Sequence, residues 1–194
     1  MSKNIWCIRH GTALHNTLFS LIGKRAYTDK IYTDTPLVEN GEIQSRTLGG
    51  TWKDIHKIDV VFASPCKRTL QTTTNIFKNT TKKIIAIDEI TEYPQSVEYC
   101  NKRKNKIELK ELYPTVDFSM LDEVSPYWID DTDVEESEKE CLDRVRIFKE
   151  FLISRPEKNI CIVSHSSLLK GFMFGRLHNL TQELRYCYPY KFTL

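Results

Sequence analysis

Three separated stretches of the chain combine guanidinium and imidazole side chains: Arg9-His10-Gly11, Ser64-Pro65-Cys66-Lys67-Arg68 and Ser164-His165-Ser166-Ser167. A guanidinium offers forked, permanently charged donors that match phosphate oxygens two at a time. A neutral imidazole is a competent nucleophile near pH 7. Held in line with a phosphorus atom, it replaces one difficult attack by water with two easier steps through a phosphohistidine. Confining nucleophile and substrate in one geometry can supply ~7–11 kcal/mol of the barrier, and donors fixed around the transferring group add to that. Phosphoryl transfer is therefore the chemistry that Arg9, His10, Arg68 and His165 favour together.

Such a set works only if the chain brings it to one place. Residues 4–8 (NIWCI) and 159–163 (NICIV) are short continuous apolar runs, as expected of strands buried on both faces of a parallel sheet. Residues 58–63 and 84–87 read the same way. Helical patterns lie between them: residues 41–55 place Ile43, Leu48, Trp52 and Ile55 on one stripe, and Leu142, Val145, Phe148 and Leu152 repeat at three to four residues. Strands alternating with helices predict a layered α/β domain whose ligands bind beyond the carboxyl ends of the strands. Each of the three stretches follows a predicted strand, so one sheet edge would receive all four side chains.

Length and composition predict one domain over 1–194. The chain has 28 Lys plus Arg against 26 Asp plus Glu, a formal charge of +2, and 40% hydrophobic residues. That balance gives no reason to expect nucleic acid or an anionic membrane as partner, and no apolar stretch approaches the ~18 residues of a membrane span. Met1 to Asn4 leads into the first strand without a signal-peptide pattern. Six cysteines lie far apart, outside any zinc-type spacing, and read as free thiols; a cytoplasmic protein is expected. Periodicity fails over 93–137, where Pro94, Pro114 and Pro126 punctuate a basic run at 102–106 and an acidic one at 130–140. This segment is expected to be an insertion that covers the site. Its acidic residues Glu135, Glu136 and Glu138 suit the start of the helix that follows. His15, His56 and His178 have no identifiable partners and read as structural, and Trp6 and Trp52 as core.

The ordered set Arg9-His10-Gly11, Asn16, Asp34-Thr35-Pro36-Leu37 through Gly41 and Gln44, Ser64-Pro65 with Arg68 and Gln71-Thr72, and Val163-Ser164-His165 resembles the histidine phosphatase superfamily, the phosphoglycerate mutase-like fold. The resemblance takes in about 1–92 and 137–180. It implies a three-layer α/β/α sandwich with a mostly parallel central sheet. It also implies that His10 is phosphorylated during turnover, that Arg9, Arg68 and His165 form the catalytic phosphate pocket, and that Asn16 adds a hydrogen bond. The acid that protonates the leaving oxygen best matches Glu92, with Asp88 and Glu89 as rivals. No metal or cofactor is implied. Mutases of the superfamily carry R-H-G-E-S at the nucleophile and an E-R-H-Y-G-like stretch at the acid, whereas here Thr12 follows Gly11, Tyr93-Pro94-Gln95 follows Glu92 and Ser166-Ser167 follows His165. These departures favour a metal-independent phosphomonoesterase acting on a small phosphorylated metabolite or phosphopeptide. The alternatives are a phosphoglycerate-type mutase, an isomerase, and a non-catalytic phosphate-binding interaction module. Lys102, Arg103, Lys104 and Lys106 could meet a second phosphate on the substrate.

Overall fold

Apolar side chains at both parities let the strands face two layers at once. In the computed structural model, which describes residues 2–130, 132–177 and 183–194, five strands form one sheet: β1 (Asn4–Arg9), β2 (Val60–Ala63), β3 (Lys83–Ala86), β4 (Asn159–Ser164) and β5 (Pro189–Thr193). Their order is β3-β2-β4-β1-β5. The first four run parallel, and β5 lies antiparallel on the β1 edge. His178 falls outside the described residues.

One face of the sheet carries Ile5, Cys7, Phe62, Ile160 and Ile162, packed with α6 (Glu138–Ser154) and α7 (Ser166–Phe174). Phe148 of α6 meets Phe62 at a ring-centroid distance of 5.9 Å and Phe172 of α7 at 6.0 Å. Burial of each such side chain contributes about 1.5–3 kcal/mol. The opposite face carries Trp6, Ile8, Val61, Cys161 and Val163 beneath α3 (Glu39–Thr51), α4 (Lys67–Phe77) and α5 (Lys106–Leu112). The result is the expected three-layer α/β/α sandwich with a mostly parallel sheet. Helices α1 (Leu14–Ile22) and α2 (Arg25–Thr28) follow β1.

The stripe predicted on 41–55 differs in detail. Ile43 is 53% exposed, and the buried positions of α3 are Gly41, Ser45 and Leu48. Small residues win that face because α3 lies against α4 at close range: a Cβ on Gly49 would fall 2.6 Å from the carbonyl oxygen of Ile76. Asn75 of α4 also donates to Ser45 Oγ at 2.9 Å, a contact that isoleucine could not make.

The 93–137 segment does two jobs. Val116, Phe118 and Leu121 join α5 in the core on one sheet face, while the 3-10 turn Tyr99–Asn101 lies at the carboxyl edge of the strands. The helix after it starts with a capping box, in which Ser137 Oγ accepts from Glu140 N–H and Glu140 accepts from Ser137 N–H. Glu138 lies in its first turn as expected. Glu136 is drawn instead into a buried ion pair with Arg144, at 2.5 Å.

Candidate active site

Strand register brings the predicted residues together. Arg9 stands opposite Ser164, and Ala63 opposite Val163, so the next residues of the three strands leave the sheet side by side. His10 N–H donates to the Ser164 carbonyl at 2.9 Å and Ser64 N–H to the Val163 carbonyl at 3.0 Å. The rings of His10 and His165 lie 5.1 Å apart. His165 Nε2 shares a 2.8 Å hydrogen bond with Ser64 Oγ. Arg68, one residue into α4, sends its Nε–H to His10 Nε2 at 3.3 Å. The start of α4 is fixed in turn by Asp34, whose Oδ1 accepts from Lys67 N–H at 2.7 Å.

Other motif residues hold the loops that carry this cluster. Gly11 N–H donates to Thr72 Oγ1 at 3.0 Å, Thr12 N–H to Gln44 Oε1 at 2.9 Å and Leu37 N–H to Gln71 Oε1 at 2.8 Å. Gly11 packs so tightly on Gly41 that a Cβ on either would lie 2.6 Å or less from backbone oxygen. Any side chain there would push the His10 turn off the sheet edge. Asn16 Oδ1 accepts from Ala13 N–H at 3.0 Å, and Asn16 lines the cavity.

Hydrogen bonding and burial keep His10 neutral, with its Nε2 lone pair turned toward the Arg68 Nε–H. Its Nδ1 lies 2.7 Å from the Gly11 carbonyl, which can only accept. The hydrogen is therefore on Nδ1 and the lone pair on Nε2. Burial, then the charges of Arg68 and Arg9, hold the His10 pKa well below the ordinary 6.5. Burial and Arg68 do the same to His165. Glu92 faces the same cavity. Its Oε1 accepts from Tyr93 N–H at 2.9 Å and from Leu168 N–H, in the first turn of α7, at 3.2 Å. Burial raises the Glu92 pKa despite these donors and the opposing pull of Arg68. Of its rivals, Asp88 is locked in a buried ion pair with Arg103, and neither Asp88 nor Glu89 lines the cavity.

Several neighbours of this cluster carried no sequence signal. His15, read as structural, is buried beside His10 at a ring distance of 6.2 Å and bonded through Nδ1 to Thr35 Oγ1. The C-terminal segment clamps Arg9: Nη1 donates to the Leu184 carbonyl at 2.8 Å and Nη2 to the Tyr186 hydroxyl at 3.2 Å, with the guanidinium 4.0 Å from the Tyr186 ring centre. Alternating aromatics at Tyr188, Tyr190 and Phe192 are the period-2 signal that could have revealed β5. Arg68 is anchored by the 93–137 segment, donating to the Cys100 carbonyl at 2.6 Å and to Asn101 Oδ1 at 2.8 Å. After these bonds, two buried donor or acceptor atoms of the cluster have no protein partner: Arg9 Nε and His165 Nδ1.

The basic run does not reach the cavity. Lys102 pairs with Asp130, Arg103 with Asp88, Lys104 with Glu108, and Lys106 Nζ donates to the Leu121 carbonyl. The expectation that these four meet a second phosphate is corrected. Their charges are satisfied by Asp88, just after β3, and by carboxylates and carbonyls of the segment itself, an arrangement invisible until the segment folds against the sheet.

Residues 5–187 match the family profile described as histidine phosphatase superfamily (branch 1). The chain is 29% identical to phosphoglycerate mutase-like protein 1 of Arabidopsis thaliana over 221 residues, covering 96% of this chain and 74% of that protein. Among solved structures, it superposes on the ecdysone phosphate phosphatase of Bombix mori with a TM-score of 0.63 at 14% identity, covering 96% of this chain and 87% of the other. The alpha-ribazole phosphatase of Shigella flexneri gives 0.58 at 19% identity, covering 89% and 80%. The two structural likenesses show the shared fold.

Proposed function

The chain belongs to the histidine phosphatase superfamily, and from that premise we propose that it is a metal-independent phosphomonoesterase acting through a phosphohistidine on His10. One observation carries the reading. A neutral imidazole with its Nε2 lone pair beside the Arg68 guanidinium lies within a buried cluster whose Arg9 Nε and His165 Nδ1 lack protein partners. Three phosphoryl oxygens in a plane around phosphorus would supply acceptors for these donors. Ser64 Oγ–H donating to His165 Nε2 would leave the hydrogen on Nδ1, facing the phosphate.

In the first step His10 Nε2 bonds to phosphorus, the bond from phosphorus to the alcohol oxygen breaks, and Glu92 gives that oxygen its proton. In the second, Glu92 takes a proton from water as the water oxygen bonds to phosphorus, releasing inorganic phosphate and free His10. Arg9, Arg68, His165 and the Asn16 amide hold the oxygens throughout. Glu92 must begin protonated and His10 neutral, and burial biases both the right way. The free state of all six cysteines supports a reducing, cytoplasmic setting. Among the described residues no helix is long and apolar enough to cross a membrane.

The test is turnover of a chromogenic aryl phosphate in excess chelator, combined with rapid acid-free quenching to trap the labelled enzyme. An acid-labile phosphoryl label that vanishes in His10→Ala is the expected result. No turnover between about pH 4 and 8, or a label on another residue, would overturn the proposal.

A further inference from the structure

The cavity above His10 has a volume of about 600 Å³, far more than a phosphoryl group fills, and its walls specify what else the substrate carries. A continuous run of rings leads from the nucleophile to the mouth. His10 lies 6.2 Å from His15, His15 5.4 Å from Tyr27, and Tyr27 stacks on Phe19 at 5.1 Å and 22°. Phe19, at the outer end, leaves 48% of its surface exposed. A large apolar ring held at a cavity mouth is a surface suited to covering by another ring. Tyr93, Pro94 and Tyr186 also line the space.

Charge along the same walls is just as selective. Among the described lining residues the cations are Arg9 and Arg68, both inside the phosphate cluster, while Glu92, Glu98 and Glu183 are carboxyl groups, the last paired with Lys170 at 2.7 Å. A second phosphate or a carboxylate on the substrate would therefore lose its water with no further cation among these lining residues to receive it. Glu98 is held by Asn101 Nδ2 at 3.3 Å, and burial with the nearby Glu92 raises its pKa to about 7. Whether protonated or not, it offers no positive charge.

We infer that the substrate is the phosphomonoester of an apolar, ring-bearing alcohol with no second anionic group, its rings lying along Tyr27 and Phe19. The inference rests on the phosphatase reading above and narrows it to a substrate class.

Three phosphomonoesters of primary alcohols, matched in leaving-group acidity, test it: a naphthyl-bearing ester, glycerol phosphate and a sugar bisphosphate. The naphthyl ester should have a kcat/KM about tenfold or more above glycerol phosphate, with the bisphosphate lowest. Phe19→Ala should shrink the naphthyl-to-glycerol ratio at least about threefold, mainly through KM. Titration of His10→Ala protein with the same esters reads the pocket apart from chemistry. Preference for the naphthyl ester in binding with no turnover of any ester by the wild-type protein would defeat the phosphatase reading and leave the pocket's preference standing. Turnover with glycerol phosphate or the bisphosphate preferred, or a ratio indifferent to Phe19→Ala, would overturn the inference while the phosphatase reading survives.

Discussion

Arg68 donates from Nη2 to Asn101 Oδ1 at 2.8 Å, which ties a cation delivered by α4 to the 93–137 segment. Asn101 is buried and its amide also donates to the Pro94 carbonyl at 3.1 Å. The segment thereby sets the direction of the guanidinium that faces His10. Asn101→Ala should lower kcat/KM about tenfold by loosening that fork, corresponding to ~1.4 kcal/mol. Asn101→Asp, which keeps the Oδ1 acceptor, should recover part of the loss. Steady-state kinetics on both variants check this, and equal defects would show that Asn101 acts through folding alone.

Replacing His10 by Ala should abolish turnover with an unchanged far-UV spectrum, since Thr72 and Gln44 still hold the backbone of Gly11 and Thr12 once the ring's bond to the Gly11 carbonyl is gone. A variant keeping even about a tenth of the wild-type rate contradicts the nucleophile assignment.

Glu92→Gln should slow esters of poor leaving groups by about a hundredfold or more and activated aryl esters far less, because only the former need the proton. The pH profile carries the same signature. Activity should fall as pH drops through the lowered His10 pKa, when the nucleophile is protonated. It should also fall as pH rises through the raised Glu92 pKa, when the acid is lost. The alkaline limb should disappear in Glu92→Gln. Its persistence would transfer the proton-donor role to Glu98, the other half-buried carboxyl of the cavity.

Three imidazoles, those of His10, His15 and His165, are buried with lowered pKa values, burial being the largest cause in each. The unfolded chain takes protons at these sites below the ordinary 6.5 while the folded chain does not, so their contribution is full above 6.5 and is lost as pH falls from there. Glu98 acts oppositely: its folded form keeps a proton up to about 7 that the unfolded form releases near 4.5, so stability falls as pH rises through that interval. His15→Asn should therefore lose less stability than wild type between pH ~7.5 and ~5.5, measured by urea unfolding. Parallel losses would mean that His15 is not held neutral.

Arg103 and Asp88 have side chains 1% and 5% exposed and bond twice, at 2.6 and 2.8 Å. Arg103→Ala should destabilise the fold by about 3–5 kcal/mol by leaving a buried carboxylate unpaired. Pairing Arg103→Met with Asp88→Leu should recover most of that. Because neither residue lines the cavity, kcat/KM per folded molecule should stay at the wild-type value. A loss of specificity toward any phosphate ester would restore a substrate-binding role to the basic run.

Much of this protein was legible from local pattern. Runs such as NIWCI and NICIV announced strands buried on two faces, because a side-chain period of two cannot hide apolar residues at every position unless both faces are covered. Motif order then placed Arg9, His10, Arg68 and His165 at strand ends, and parallel pairing carried them to one edge. What sequence could not settle depends on contacts between residues far apart in the chain. Ile43 yielded the buried face of α3 to Gly41 and Ser45 because the Thr12 backbone presses on the first and Asn75 of α4 bonds the second, leaving no room there for a branched apolar side chain. Lys102 to Lys106 looked like an anion site until Asp88, Glu108, Asp130 and Leu121 folded against them. His15, Tyr186 and Asn101 became part of the cavity only when α1, the C-terminal segment and the 93–137 segment converged on it. A charge or a ring has no function in isolation; its partner decides, and tertiary structure alone chooses the partner.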